Sequence, residues 1–248
     1  MIVANWKMNM TSAQANEFFD EYAKHIKKTK NKVVICAPFT TMPTVFKRRR
    51  LGFKLGAQNV HPAENGTHTG EISAKMLVDA KVTSVIIGHS ERRAQFGECN
   101  SFINAKIKAA VAAGLQVIFC IGETADEREM GKTFEVLKKQ FIEGMADIGA
   151  EAKKNIVIAY EPVWAISGGD PNKPSPTPKS AEIAEVHAFI RKLGKKQLKS
   201  SRIPILYGGS ANDKNFKEIF VIENVDGALV GGASLVPSKF AAMCNFNK

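Results

Sequence analysis

The feature that most constrains the fold of this chain is a series of eight short apolar segments. They occupy residues 2–4, 33–37, 53–57, 84–87, 116–121, 156–160, 203–207 and 228–230. The strongest are rich in Val and Ile without polar alternation, which is typical of parallel strands buried on both faces. Amphipathic helical patterns lie between most of them, over residues 12–28, 102–113, 133–148 and 180–193.

Strand and helix patterns alternate over all 248 residues without a Pro/Ser-rich linker or a shift in composition. We therefore expect an α/β protein with a single (β/α)8 barrel domain over residues 1–248. A doubly wound parallel sheet is the alternative. It is disfavoured because no strand is followed by GxGxxG, and the P-loop-like segment 131–133 lacks the required earlier glycine.

The apolar runs and the cysteines indicate the cellular compartment of the protein. No apolar run approaches the roughly 20 residues that span a bilayer, and the chain enters directly with MIVANWK, so we expect a cytoplasmic protein without a membrane partner. Four cysteines lie far apart without a CxxC motif, and we interpret them as reduced thiols rather than zinc ligands.

The formal net charge of +11 raises the question of a polyanionic partner. The basic residues are scattered, and the one dense cluster, residues 47–50, resembles the end of a helix, where cations complement the dipole. Aromatic residues are not interleaved with them, as a single-strand-binding surface requires. We predict no nucleic-acid partner and favour a small anionic ligand.

Polar residues follow several strands, at the end of a parallel barrel where functional side chains gather. Glu161 directly follows residues 156–160, and Pro162 then stops the strand. Other strand ends carry Asn5, Lys7, His89, Ser90, Glu91, Gly208, Gly209, Ser210, Gly231 and Gly232. Taken singly, each has an ordinary structural explanation as a strand terminator, a solvated lysine, a structural histidine or a tight turn.

Taken together, these residue types predict a specific chemistry. Glu161 can act as a base, a helix N-terminus after His89 favours a neutral imidazole that donates to a carbonyl, and Lys7 can stabilise negative charge. Backbone N–H groups at the two glycine pairs can surround a phosphate. We predict proton abstraction next to a carbonyl in a small phosphorylated substrate, without a metal or an organic cofactor.

Longer segments resemble the triosephosphate isomerase family, and the likeness covers nearly the whole chain. They are NWKMN (5–9), GAQN (56–59), TGE (69–71), GHSERR (88–93), CIGE (120–123), YEPVWAI (160–166), YGGS (207–210) and VGGAS (230–234). The resemblance implies a cytoplasmic enzyme that interconverts dihydroxyacetone phosphate and D-glyceraldehyde 3-phosphate through an enediolate, in glycolysis and gluconeogenesis.

The resemblance also implies residue roles. Glu161 would shuttle the proton and His89 would polarise the oxygens, a division of labour for which this family is a well-known example. Lys7 would supply positive charge with Asn5 beside it. The supporting residues would be Ser90 and Glu91, and the phosphate would be bound by Ser167, Ser210, Gly231 and Gly232.

A homodimer is implied as well. Residues 59–71 would form a loop that enters the second subunit and brings Thr69 and Glu71 to the partner. His68 departs from the family, which often has an apolar residue there, and we expect it at the dimer contact.

The loop after residues 160–166, which would close over the site, departs further from the family. Residues 167–178, SGGDPNKPSPTP, are longer and contain four prolines. We expect an exposed, stiffened loop that pivots mainly at residues 162–164 and 167–169. The sequence of this loop leaves open whether it keeps the family's contact with Tyr207.

Two other functions remain open from the sequence. One is a different phosphate-binding barrel, such as a sugar-phosphate epimerase or an indole-pathway isomerase. The other is a non-catalytic basic barrel that binds RNA or protein.

Overall fold

Eight parallel strands close into one barrel in the computed structural model, which describes residues 1–166, 176, 178–198 and 203–246. The strands are β1 (Ile2–Asn5), β2 (Val33–Cys36), β3 (Phe53–Ala57), β4 (Ser84–Ile87), β5 (Gln116–Ile121), β6 (Ile156–Tyr160), β7 (Ile205–Tyr207) and β8 (Gly227–Val230). Each pairs with the next strand in sequence, and β8 pairs with β1. The predicted (β/α)8 barrel is confirmed.

Helices cover the outside of the barrel. In the described part of the chain they are α1 (Ser12–His25), α2 (Met42–Lys47), α3 (Ala74–Asp79), α4 (Ser90–Phe96), α5 (Asn100–Ala112), α6 (Ala125–Glu129), α7 (Thr133–Gly144), α8 (Ser180–Leu198), α9 (Phe216–Val221) and α10 (Pro237–Asn245). The basic cluster at residues 47–50 lies at the end of α2 and in the 3-10 turn after it, as predicted. No described helix is long and apolar enough to cross a membrane.

Helix α1 ends at His25, three residues before the predicted end. Ile26 is extended, and the N–H of Lys27 donates to Asn245 Oδ1 at 2.9 Å. The Thr29 hydroxyl and the Asn31 side-chain amide both donate to the carbonyl of Cys244. Hydrogen bonds to the end of α10 therefore replace the last helical turn, which the periodicity of α1 alone does not reveal.

The seam between β8 and β1 closes the barrel and depends on a glycine. Gly227 has φ +153, and an added Cβ there would lie 1.8 Å from the carbonyl oxygen of Met1. A side chain would therefore collide with backbone at the point where Ile2 pairs with Ala228. The missing side chain lets the first and last strands approach closely enough to pair.

The barrel interior and the layer under the helices are packed with different residues. The interior holds small and medium side chains: Val3, Val34, Cys36, Ile86, Ile118, Cys120, Val157, Ala159, Leu206 and Leu229. Larger rings fill the layer between strands and helices, where Trp6, Phe18, Phe19 and Tyr22 contact one another. Each such buried apolar side chain contributes about 1.5–3 kcal/mol of transfer free energy.

One buried histidine makes the fold sensitive to acid. His187 on α8 is fully buried, and its Nδ1 donates to the carbonyl of Asn224 at 3.1 Å. Its Nε2 is buried without a partner among the described residues. Burial lowers the pKa of His187 to about 4 from the ordinary 6.5.

We expect the free energy of unfolding to fall as the pH drops from 6.5 towards 4. In that window His187 binds a proton in the unfolded chain but not in the folded one. This lowers the free energy of unfolding by about 2 kcal/mol at pH 5. Urea unfolding of His187→Gln should therefore show a shallower loss of stability between pH 6.5 and pH 5 than the parent. Parallel profiles for the two proteins would contradict this assignment.

Candidate active site

Seven of the eight predicted catalytic and phosphate-binding residues meet in one cleft at the carboxyl ends of the strands. The cleft encloses about 90 Å³, and its lining includes Asn5, Lys7, His89, Glu161, Ser210, Gly231 and Gly232. The eighth residue, Ser167, lies outside the described residues. Strands β1, β4, β6, β7 and β8 thus deliver their end residues to one place, as expected for a parallel barrel.

Glu161 is the most enclosed ionisable group of the cleft, with 2 % of its surface exposed. Its Oε2 accepts a hydrogen bond from the N–H of Ser90 at 2.9 Å. Its Oε1 lies 3.1 Å from His89 Nε2 but off the hydrogen-bond direction, so this oxygen has no donor among the described residues. One carboxylate oxygen is therefore anchored, and the other is free to accept a proton.

His89 is the N-cap of helix α4, so the helix begins directly after it, as the sequence predicts. Its Nδ1 accepts a hydrogen bond from the N–H of Glu91 at 3.2 Å. Because an accepting nitrogen carries no proton, the proton of the neutral ring belongs on Nε2, which faces Glu161. The cap therefore fixes the tautomer that can donate to a substrate oxygen.

Lys7 supplies a cation at the edge of the cleft. Its Nζ lies 2.7 Å from Glu91 Oε1, and Glu91 Oε2 lies 3.6 Å from His89 Nδ1. Lys7 has φ +52, which costs a residue with a side chain about 1–3 kcal/mol. Its N–H donates to Asn5 Oδ1 at 3.0 Å, which helps hold this conformation.

Gln58 is a site residue that the sequence analysis missed. Its side-chain amide donates to the carbonyl of Lys7 at 2.9 Å and to that of Cys36 at 3.0 Å. It therefore fixes the strained backbone of Lys7 against β2. The sequence could have indicated Gln58, because it directly follows β3 at the same end of the barrel as the other site residues.

Arg93 is a second missed residue, and it supports the floor of the cleft. Its Nε donates to the carbonyl of Gly88 at 2.8 Å, and NH2 donates to that of Cys120 at 3.2 Å. Burial lowers the pKa of this guanidinium, while the Cys120 and Glu161 side chains oppose the shift. Arg93 therefore joins the end of β5 to the residue that follows β4, directly before His89.

The predicted phosphate corner combines glycine backbone with a cation. Gly232 begins a 3-10 turn, Gly232–Leu235, whose first N–H groups lack intrahelical acceptors. A Cβ placed on Gly231 would lie 3.9 Å from Lys7 Nζ, so the ammonium is close to this backbone. The N–H of Ser210 instead donates to the carbonyl of Ala165 at 3.2 Å.

Beyond Glu161 the chain is anchored by a buried carboxylate. Glu123 is fully buried and accepts hydrogen bonds from the Tyr160 hydroxyl at 3.1 Å and from Trp164 Nε1 at 2.8 Å. Burial raises the pKa of Glu123, and the Trp164 bond opposes that rise. The Arg128 guanidinium covers the Trp164 ring at 4.1 Å. This fixes the first predicted pivot, residues 162–164, whereas the second, residues 167–169, lies outside the described residues.

The residues predicted for the dimer loop lie away from the cleft of their own chain. Thr69 and Glu71 are exposed and do not line it. The exposed His68 packs its ring against the His61 ring, with centroids 4.1 Å apart, and its place at the dimer contact stays a prediction. Tyr207, for which the long loop left the family's contact with the second pivot open, has a buried hydroxyl without a partner among the described residues.

Comparison with known proteins identifies the chain's relatives. The family model described as Triosephosphate isomerase matches residues 1–247. The chain is 44% identical to a triosephosphate isomerase of Alkaliphilus oremlandii, over 99% of this chain and 98% of the relative. It is 46% identical to one of Dictyoglomus thermophilum, over 97% and 96%. A crystal structure of triosephosphate isomerase from Bartonella henselae superposes with a TM-score of 0.85 at 39% identity, covering 98% of this chain and 96% of that one.

The position of Glu161 depends on a close approach to Gly122. An added Cβ at Gly122 would lie 1.7 Å from the Glu161 carbonyl oxygen and 2.6 Å from its carbonyl carbon. We expect Gly122→Ala to shift the Glu161 backbone, visible in a crystal structure, and to lower the free energy of unfolding by about 1–3 kcal/mol. Gly149→Ala is the matched control, because its Cβ would meet nothing within 4 Å. Equal stability of both variants would refute the dependence.

Proposed function

The chain belongs to the triosephosphate isomerase family, and we propose that Glu161 and His89 carry out its proton transfer in the cleft. The protein is an aldose–ketose isomerase that interconverts dihydroxyacetone phosphate and D-glyceraldehyde 3-phosphate, a step of glycolysis and gluconeogenesis. Family membership over the whole chain leaves the epimerase and non-catalytic alternatives without support.

The observation that carries the residue assignment is the donor-free oxygen of Glu161. Oε1 is buried beside His89 Nε2, while Oε2 is held by the N–H of Ser90. A substrate carbon bound in the cleft would therefore meet a carboxylate oxygen that can accept a proton without first losing a hydrogen bond. A buried base with one anchored oxygen is also positioned without further ordering.

The reaction then follows from these groups. Glu161 takes a proton from the carbon next to the carbonyl, the C–H electron pair becomes a carbon–carbon double bond, and the carbonyl pair moves onto oxygen. His89 Nε2–H donates to that oxygen, and Lys7 stabilises the negative charge of the enediolate. Glu161 returns the proton to the neighbouring carbon, and a proton exchanged between the two oxygens completes the isomerisation.

We assign the substrate's phosphate to the backbone of Ser167, Ser210, Gly231 and Gly232. Gly231 is supported by its bare backbone next to the Lys7 ammonium, and Gly232 by its open position in the lining of the cleft. The N–H of Ser210 must leave the carbonyl of Ala165 before it can donate to phosphate. Ser90 and Glu91 act by holding Glu161 and Lys7.

Replacing Glu161 by Asp tests the base directly. The shorter side chain withdraws the carboxylate from the substrate carbon, so we expect kcat to fall by roughly 10²–10⁴-fold with a much smaller change in KM. A coupled assay with D-glyceraldehyde 3-phosphate measures both constants. Glu135→Asp, at an exposed glutamate of α7, serves as the control and should match the parent. A Glu161→Asp enzyme with the parent's kcat would rule out the assigned role.

We also propose a homodimer, supported by where apolar surface is exposed. Of the ten exposed large apolar side chains in the described residues, six lie on the elements that follow β1 to β4: Met8, Phe39, Met76, Val78, Phe96 and Phe102. Met8 is 96 % exposed and lines a groove of about 790 Å³ beside α1. A second copy of the chain, entered by the loop that carries Thr69 and Glu71, would cover this side.

The dimer has a mutational test. We expect light scattering to give twice the mass of one chain for the parent, and the mass of one chain for Met76→Lys, which places a charge in the proposed interface. Met130→Lys is the control, because Met130 is also exposed but lies at the end of α6. A parent mass of one chain at all working dilutions would exclude the dimer.

The remaining proposals concern the chain as a whole. We infer that residues 1–248 form one domain, because strands of one barrel extend from Ile2 to Val230. A cytoplasmic location is supported by four cysteines that remain free thiols. Imaging of a fluorescent fusion would check that location.

A further inference from the structure

The end of the barrel opposite the active site carries a concentrated positive charge. Because all eight strands are parallel, the segments that lead into them lie together at this amino-terminal end. Six exposed basic residues occupy the entries to β2, β3 and β4, which are neighbours in the barrel. We call them the basic arc: Lys28, Lys30, Lys32, Arg50, Lys54 and Lys81.

The charges of the basic arc are not neutralised by ion pairs. Within the described residues, no salt bridge involves any of the six. On α1, Asp20 is paired with Arg48 at 2.8 Å and Glu21 with Lys24 at 2.6 Å. Asp79 at the end of α3 shares a shallow groove with Lys81 and is the acidic group on that side. The arc therefore keeps a large excess of positive charge.

Two of these lysines lie close together at the barrel mouth. At the amino-terminal opening of the barrel, Lys32 Nζ donates to Gln116 Oε1 at 2.7 Å. Lys54 lies in the neighbouring strand β3 and is exposed. Burial lowers the pKa of Lys32, and the positive charge of Lys54 lowers it further. An anion bound between the two ammonium groups would relieve this repulsion.

The backbone of the arc is already ordered. Residues 27–31 are held to the end of α10 through Lys27 N–H, Thr29 and Asn31, which bond to Asn245 and Cys244. Lys54 lies within β3, and Lys81 lies three residues before β4, where its N–H donates to the carbonyl of Val78 at 3.0 Å. A ligand would therefore need to order lysine side chains only, which reduces the entropic cost of binding.

We propose that the basic arc binds a linear chain of phosphates, of the inorganic polyphosphate class, independently of the active site. The arc extends over three strand entries, which suits a chain better than a single small anion. No exposed aromatic side chain occurs in the described segments that form it, so nucleic-acid bases would find no stacking partner. Lys81 shares its groove with the exposed side chains of Phe39 and Met76, which belong to the proposed dimer face. The segments that carry the other five basic residues hold no exposed large apolar side chain, so a membrane would find no anchor there.

The test measures binding of end-labelled polyphosphate by fluorescence anisotropy over a range of salt concentrations. We expect the triple variant Lys30→Gln, Lys32→Gln, Lys54→Gln to bind at least about tenfold more weakly, with the slope of log affinity against log salt reduced by about 2. The control variant Lys138→Gln, Lys139→Gln, Lys217→Gln has the same net charge but changes exposed lysines of α7 and α9. It should bind like the parent, and both variants should keep the parent's isomerase activity.

Several results would overturn the proposal. The parent could fail to bind, or the control could lose as much affinity as the arc variant. Competitive inhibition of the isomerase by polyphosphate would locate binding in the cleft instead. Tighter binding of poly(U) RNA than of polyphosphate at equal phosphate, or sedimentation with phosphatidylserine vesicles without polyphosphate binding, would indicate a different partner.

Discussion

Closure of eight parallel strands into a ring is the constraint on which the rest of this structure depends. The ring is completed where Ile2 pairs with Ala228, and the bare backbone of Gly227 makes room for Met1 at that seam. Once the ring is closed, every strand ends on the same rim. Residues far apart in sequence, such as Lys7 and Glu161, then become neighbours in one cleft. The catalytic arrangement is thus a consequence of how the sheet closes.

Polar contacts beneath the cleft hold the side chains of Glu161 and His89 and the backbone of Lys7 in defined orientations. Ser90 orients one oxygen of Glu161, and the cap at the start of α4 sets the tautomer of His89. Gln58 stabilises the left-handed backbone of Lys7. The strain at that lysine persists because partners from β1 and β3 fix it, and the same rigidity keeps its ammonium in place.

The sequence predicted most of the barrel because each strand carries its own apolar run. It indicated Glu161 and His89 because Glu161 directly follows such a run and His89 follows one after a single glycine. It failed where the deciding partner is distant in the chain. The early end of α1 is set by Asn245, more than 200 residues away. The sequence analysis assigned no role to Arg93 or Glu123. Arg93 bonds to a backbone carbonyl and Glu123 to an aromatic side chain that only the fold brings near. Periodicity describes one element at a time and cannot identify these contacts.

The hydrogen bond from the N–H of Ser210 to the carbonyl of Ala165 has a thermodynamic consequence. In the proposed reaction, phosphate and the turn after Glu161 compete for the same N–H group. Two processes that share one donor are linked, and the linkage is reciprocal. The free energy by which this hydrogen bond stabilises the turn is subtracted from the free energy of phosphate binding. The affinity for substrate and the opening of the turn are therefore set by a single exchange of partners.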